Sequence, residues 1–220
     1  DIYAVGDAVQ VKHYVTGQNT LLSLAGPANR QGRIAANNIC GKDSRYPGSQ
    51  GSSVIKVFDL TAATTGINET NARKAGLNVD KVILSPMSHA GYYPGGMLMT
   101  MKVIFEKSTC RLLGAQIIGY EGVDKRIDVL AAAIHAGLTA PRLKDLDLAY
   151  APPYSSAKDP VNMAGFMIEN IANGLLKQFH LEQLSSLPTD GSITLLDVRT
   201  TQEYAGGHVE GFYNIPVDEL

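Results

Sequence analysis

Residues 97–119 constrain the fold more than any other stretch of this chain. MLMTMKVIFEK (97–107) alternates with period two, as a strand does when one of its faces is buried. RLLGAQIIG (111–119) follows across a short turn and reads as its hairpin partner. The period then changes. GVDKRIDVLAAAIHAGL (122–138) places apolar residues at 123, 127, 130, 134 and 138, one stripe of a helix. An antiparallel pair followed by an amphipathic helix calls for a sheet with helices packed against it. Because strands and helices are segregated along this region, the fold class expected is α+β.

Three regions separate around that feature. In residues 1–50, IYAV (2–5) reads as a buried strand ending in Gly6-Asp7. Leu24, Ala28, Ala35 and Ile39 form the stripe of a following helix, with Ser23 as its cap, Pro27 in its first turn and Gly41 as its stop. GKDSRYPGSQGSS (41–53) has the composition of a linker. Residues 54–180 form the second region. It contains strands at 54–60 and 81–86, a short helix at 68–76, the hairpin and helix above, a shorter helix capped by Thr139, and a last helix at 159–176. That last helix has Asp159 as cap and Pro160 at its first position. In residues 190–220 the expected elements are a strand at 193–199, a helical turn TQEYAG and a short strand start NIPV. So short a segment cannot close a core of its own.

Composition excludes several classes. Of the 220 residues, 45% are hydrophobic and 18% charged, and the net charge is −2. No Lys/Arg cluster is present, so neither nucleic acid nor an anionic membrane is the expected partner. No apolar run reaches about 18 residues, the length that crosses a bilayer. There is no signal peptide and no starting Met, and DIYAVGDA and NIPVDEL both read as the interior of domains. The chain is therefore expected to be part of a longer cytoplasmic protein. Cys40 and Cys110 show neither a C-x-x-C nor a Cys/His spacing that would hold zinc, so no metal site is expected. Both are read as buried free thiols.

Gly6, Asp7 and Ala8 end a strand where α/β folds bind ligands. Gly6 would let a ligand approach the backbone. Asp7 either caps the next turn or accepts hydrogen bonds from hydroxyls such as those of a ribityl chain. The helix that starts near Leu24 and Ala25 carries free N–H groups and a partial positive charge, which suit the pyrimidine end of an anionic reduced flavin. IYAVGDA followed by LAGPANRQGRIAANNICG resembles the second flavin-contacting motif of the FAD-dependent pyridine nucleotide-disulfide oxidoreductases. The similarity is to the group of coenzyme A-disulfide reductases, NADH oxidases and NADH peroxidases. It continues through TTGINETNARKAG, HAGYYPG, KVIF…LLGAQIIG, EGVDKRIDV and AYAPPYSSAKDPVNMAG, which look like the C-terminal dimerisation domain of that group.

The resemblance implies that Gly6, Asp7, Ala8, Leu24 and Ala25 contact FAD, that NAD(P)H is the electron donor and that residues 54–180 pair two subunits. It implies a small-molecule disulfide or persulfide as substrate, with coenzyme A a further candidate ligand. In coenzyme A-disulfide reductases two tyrosines from the dimerisation domain enter the partner subunit's active site, and the motifs map them to Tyr92 and Tyr150. Thiols ionise near pH 8.5 and phenols near pH 10, so a neighbouring Tyr stays protonated and can donate to a departing thiolate. The alternative for both is interface packing. Tyr93 and Tyr154 are read as packing neighbours. His89 either contacts a substrate phosphate, tunes a phenol, or has no role beyond its loop. His135 is read as a core or interface residue, Lys125-Arg126 and Lys158-Asp159 as capping, solvated or interface charges, and Met97, Met99 and Met101 as core or interface.

LLDVRTTQEYAGGHVEGFYNIPVDEL resembles the start of a rhodanese module, through Asp197, Arg199, Glu203, Tyr204, Gly207, His208, Gly211, Asn214, Ile215 and Pro216. These positions are mostly structural in that family, whose catalytic Cys lies in a later loop. A disulfide reductase joined to such a module implies sulfane-sulfur chemistry. No G-x-G-x-x-G and no redox Cys motif occurs in the chain, which alone is expected to be inactive. An NADH oxidase or peroxidase on the same scaffold, and a non-catalytic dimerisation module, are the alternative readings.

Overall fold

The computed structural model describes residues 2–188 and 190–220. Asp1 and Thr189 lie outside the described residues. The chain divides into two compact units, Asp1–Leu176 and Lys177–Leu220.

The first unit opens with a two-residue pairing of β1 (Val11–Lys12) and β2 (Asn19–Thr20), then α1 (Ala25–Ile39). Next come β3 (Ser53–Val57), β4 (Leu60–Gly66), α2 (Glu69–Lys74), β5 (Val79–Leu84), β6 (Met99–Glu106) and β7 (Leu112–Gly119). α3 (Val123–His135), a 3-10 turn (Ala140–Asp145) and α4 (Pro160–Ala172) complete it. The five strands β3 to β7 form one antiparallel sheet in the order β3-β4-β7-β6-β5, with the expected hairpin, β6 and β7, inside it. Met101 pairs with Ile117 and Val103 with Ala115. The expected alternation holds over 99–103: Met99, Met101 and Val103 are buried, while Thr100 is exposed and Lys102 half-buried. α3 packs on β7 and β4, burying Val123, Ile127, Leu130 and Ile134, and α4 adds Val161, Ala164 and Ile168. Fully covering one such side chain contributes roughly 1.5–3 kcal/mol over leaving it in water. The architecture is α+β, an antiparallel sheet with helices packed against it.

Several local expectations are corrected. Residues 54–60 do not form one strand: the chain turns at Phe58, whose φ is 51°, and re-enters the sheet as β4. Residues 2–5 form no strand, and Ile2 is 99% exposed, because no strand among the described residues offers its backbone a hydrogen-bonding partner. Ser23 does not cap α1. Leu24 holds the cap position with no side-chain hydrogen bond, and the Ser23 hydroxyl donates instead to the Asp7 carbonyl at 3.5 Å. The buried positions of α1 are Pro27 and Gln31, with Ile39 exposed. Cys40, at the end of that helix, is exposed and Cys110 half-buried, so neither is buried; both thiols are free. Met97 is exposed, unlike Met99 and Met101.

In the second unit, β8 (Leu196–Asp197) and β9 (Tyr213–Asn214) pair in parallel, with α5 (Thr201–Gly206) between them. Asp197 takes Arg199 in a fork, with Nη2 donating at 2.6 Å and Nε at 3.0 Å. The Asn214 amide donates to the carbonyls of Asp197 and Arg199. No helix among the described residues is long and apolar enough to cross a membrane.

On the sheet face opposite α3, Glu69 at the start of α2 accepts from Lys81 at 2.9 Å, Lys102 at 2.5 Å and Arg73 at 2.8 Å. Burial pushes the Glu69 carboxyl up, but hydrogen bonds from Lys102, Lys81 and Arg73 outweigh it and hold the group at about 2, below its ordinary 4.5. A carboxyl depressed by folding stabilises fully above its unfolded value and loses that contribution as pH falls through the folded one. The interval is therefore pH 4.5 down to about 2. Urea midpoints measured across it should fall more steeply for the native chain than for Glu69→Gln, and equal slopes would show that this cluster adds nothing.

Candidate active site

Both tyrosine loops lie at one end of the sheet. β5 ends at Leu84 and β6 starts at Met99, so the loop carrying Ser88–Gly96 leaves and re-enters there. Met99 pairs with Gly119, so β7 ends at the same edge, just before α3 begins. The second loop, carrying Tyr150 and Tyr154, runs from the 3-10 turn into the start of α4.

The hydroxyls of Tyr92 and Tyr150, 58 residues apart in sequence, meet at 2.7 Å. Both rings face outward: Tyr92 is 76% exposed and Tyr150 46% exposed. The hydrogen bond shared with Tyr92 is the main cause that raises the Tyr150 phenol above its ordinary 10.0. Loss of hydration and the neighbouring phenol's charge add to the rise. Tyr93 turns the other way, edge-on to the His89 ring at 5.6 Å between centroids, and its N–H closes a turn on the Ala90 carbonyl. His89 is buried, its Nδ1 3.1 Å from the Ala90 carbonyl. The structure thus brings Tyr92 and Tyr150 together and sets His89 beneath the loop, beside Tyr93.

A buried ionic cluster anchors the two loops. Arg126, in the first turn of α3, is 1% exposed, and its partner Asp159 is 3% exposed. The Arg126 Nη2 donates to the Ser88 carbonyl at 2.9 Å, to the Tyr154 carbonyl and the Ser155 hydroxyl, each at 3.3 Å, and approaches Asp159 Oδ2 at 3.0 Å. Its Nη1 donates to the Gly122 carbonyl at 3.1 Å and its Nε to Asp159 Oδ2 at 3.2 Å. The Ser155 hydroxyl donates to the same Oδ2 at 2.7 Å, and the Ala90 N–H donates directly to the Ser155 carbonyl at 3.0 Å. Asp159 Oδ1 caps α4 through the Val161 N–H at 3.0 Å, and Asn162 completes a capping box. The expected Asp159 cap is present. Arg126 is neither a solvated nor an interface charge. Its sequence position carries the signal: 126 is three residues after Val123 and four before Leu130, on the stripe that packs into the core.

The flavin-assigned residues lie at the other helix. The Gly6 N–H donates to the Gln31 Oε1 at 2.8 Å, which holds the Gly6-Asp7 turn against α1. Asp7 and Ala8 are exposed, and no side chain caps the start of α1. Leu24, Ala25 and Arg30 share a cleft of about 760 Å³ with Tyr14, Gln50 and His135. Tyr14 stacks on the exposed His135 ring at 5.1 Å and donates to the His135 carbonyl at 2.9 Å, tying residues near β1 to the end of α3. An open helix start beside an exposed carboxylate fits the isoalloxazine and ribityl parts of a flavin.

Helices packed on one antiparallel sheet, with two loops bringing phenols together at one sheet end, define an α+β module. Residues 52–160 belong to the family described as the pyridine nucleotide-disulphide oxidoreductase dimerisation domain. Strands β3 to β7, α3 and both tyrosine loops lie inside that span. The chain is 38% identical over 161 residues to the NAD(P)H sulfur oxidoreductase (CoA-dependent) of Pyrococcus abyssi, a match covering 73% of this chain and 36% of that protein. It is similar to the crystal structure of reduced Bacillus anthracis CoADR-RHD, with 48% identity and a TM-score of 0.93, covering 100% of this chain and 39% of that one. It is also similar to the NAD-dependent persulfide reductase from A. fulgidus, with 41% identity and a TM-score of 0.88, again covering 100% and 39%. The chain thus spans well under half the length of each.

Gly122 holds φ 69° at the start of α3, and a side chain there would run into the Arg126 guanidinium. Gly122→Ala should therefore lower stability by at least the roughly 1–2 kcal/mol of a left-handed non-glycine residue. Thermal unfolding reads this, and an unchanged midpoint would show that the turn tolerates a Cβ.

Proposed function

We propose that this chain is part of a cytoplasmic FAD-dependent NAD(P)H reductase of coenzyme A disulfide or persulfide, active as a homodimer paired through residues 54–180. The observation that carries the reading is the 2.7 Å pair of exposed phenols, Tyr92 and Tyr150. A reductase of this kind expels a thiolate from a disulfide or persulfide, and the leaving sulfur needs a proton. One phenol gives its Oη proton to the sulfur, and the phenolate left behind accepts a hydrogen bond from the other. The pair would act in the active site of the partner subunit, a reading supported by its outward presentation on two loops.

Residues 1–50 contribute the tail of the FAD-binding domain, and FAD, when bound, relays electrons from NAD(P)H to the sulfur centre. Asp7 would hold the ribityl hydroxyls, Gly6 and Ala8 would let the cofactor approach, and the open start of α1 at Leu24 and Ala25 would meet the pyrimidine edge. Coenzyme A suits the site as substrate or ligand; His89 would act through the loop that carries Tyr92. Residues 190–220 are the start of a rhodanese module. The Asp197–Arg199 fork and the Asn214 bonds to the same strand end support this, since they place the motif's polar residues in structural work.

Tyr92→Phe and Tyr150→Phe in the full-length enzyme should each lower turnover of coenzyme A disulfide or persulfide by about 10²–10⁴, the usual share of a general acid, with the dimer intact. Stopped-flow reduction measures this. Unchanged turnover would leave the phenols as packing. Rapid reduction of peroxide, with both sulfur substrates ignored, would favour the oxidase or peroxidase alternative.

A further inference from the structure

We propose that Arg126 is a positioning residue for the tyrosine pair: its buried guanidinium fixes the two loops so that the Tyr92 and Tyr150 hydroxyls meet. This rests on reading the phenols as donors to sulfur. The two hydroxyls belong to loops joined directly by a backbone bond, Ala90 N–H to the Ser155 carbonyl. Arg126 supplies further links. Its Nη2 holds the Ser88 carbonyl, four residues before Tyr92, and the Tyr154 carbonyl, four residues after Tyr150. Through Ser155 and Asp159 Oδ2 it also holds the point where the second loop enters α4.

The division of labour at Asp159 separates positioning from folding. Oδ1 caps α4, whereas Oδ2 serves Arg126 and Ser155. The helix cap and the apolar contacts of α3 and α4 do not need the guanidinium; the relation between the loops does. Lysine cannot replace it. An ammonium keeps the charge opposite Asp159, but it is a single point with three donors, and it cannot reach the carbonyls of Gly122, Ser88 and Tyr154 from one position as the planar fork does. Lys125 alongside, with Nζ 3.4 Å from the Ala149 carbonyl and 3.8 Å from Asp159, stays on the outer side and offers no substitute.

The test uses the full-length dimer with tyrosine labelled at ¹³Cζ, the signals of Tyr92 and Tyr150 being assigned through their Phe variants. Hydroxyls in direct contact titrate as a pair, so the Tyr150 signal moves in two steps. In Arg126→Lys it should move in one independent step. Turnover should drop roughly 10- to 100-fold, as expected for reacting groups misplaced by about 1 Å, with KM within about twofold. Adding Arg126→Lys to Tyr150→Phe should cost less than about twofold more. Signals that stay coupled in folded Arg126→Lys, or a full additive loss in the double variant, overturn the positioning role. If Arg126→Lys does not fold, Ser155→Ala removes only the hydroxyl bridging Asp159 and the guanidinium; it should weaken the coupling, and unchanged coupling there also overturns the role. Uncoupled signals with full turnover in Tyr150→Phe would instead sink the donor reading and leave the positioning intact.

Discussion

The contact between Arg126 and Asp159 is the point on which the site end of the molecule depends. Taking both charges out of water costs several kcal/mol per ion, and a buried ion pair seldom returns more than that. Here the cost is offset because each of the three guanidinium nitrogens has an acceptor, and both carboxylate oxygens are occupied. What such a cluster supplies is direction. An apolar residue of similar volume would fill the space, but it would not tell two loops where to stop.

The sheet makes that arrangement workable. The β6–β7 hairpin is the most fully buried part of the chain, and its register sets Met99 opposite Gly119 at the edge where the loops emerge. α3 starts four residues after Gly119, so the first turn of the helix that seals the core also carries the guanidinium. Core packing and loop placement are thus coupled through one helix. A change that tilts α3 on the sheet moves Arg126 with it. The Glu69 cluster lies on the opposite sheet face, at the middle of β5 and β6, where it joins α2 to the strands.

Legibility in the sequence followed contrast. β6, β7 and α3 stand out because large apolar residues recur at clean periods, and the start of α4 because Asp159-Pro160 is a strong local signal. β4 was hidden: LTAATTG holds small residues with little hydropathy contrast, and the turn before it contains no Gly or Asn to mark it. Arg126 was hidden for another reason. A charge is expected to face water, and only its place on the buried stripe between Val123 and Leu130 contradicts that expectation. Residues 2–5 read as a strand because their composition is that of one, yet a strand is defined by its neighbours. The pairing of Tyr92 with Tyr150 came from matching motifs. No period or spacing joins residues 58 positions apart.

The exposure of that pair bears on how strong it can be. A phenol largely in water exchanges one hydrogen-bond partner for another at little net gain, so its attraction to a thiolate is weak there. In a water-excluded site the same donor is worth far more, because the effective dielectric falls and the geometry is already set. On the reading proposed above, the partner subunit supplies the desolvation and this chain supplies the preorganised donors. Neither half would protonate a leaving sulfur well alone. Assembly would then be part of the chemistry, since the energetic value of a 2.7 Å hydroxyl pair depends on what closes over it.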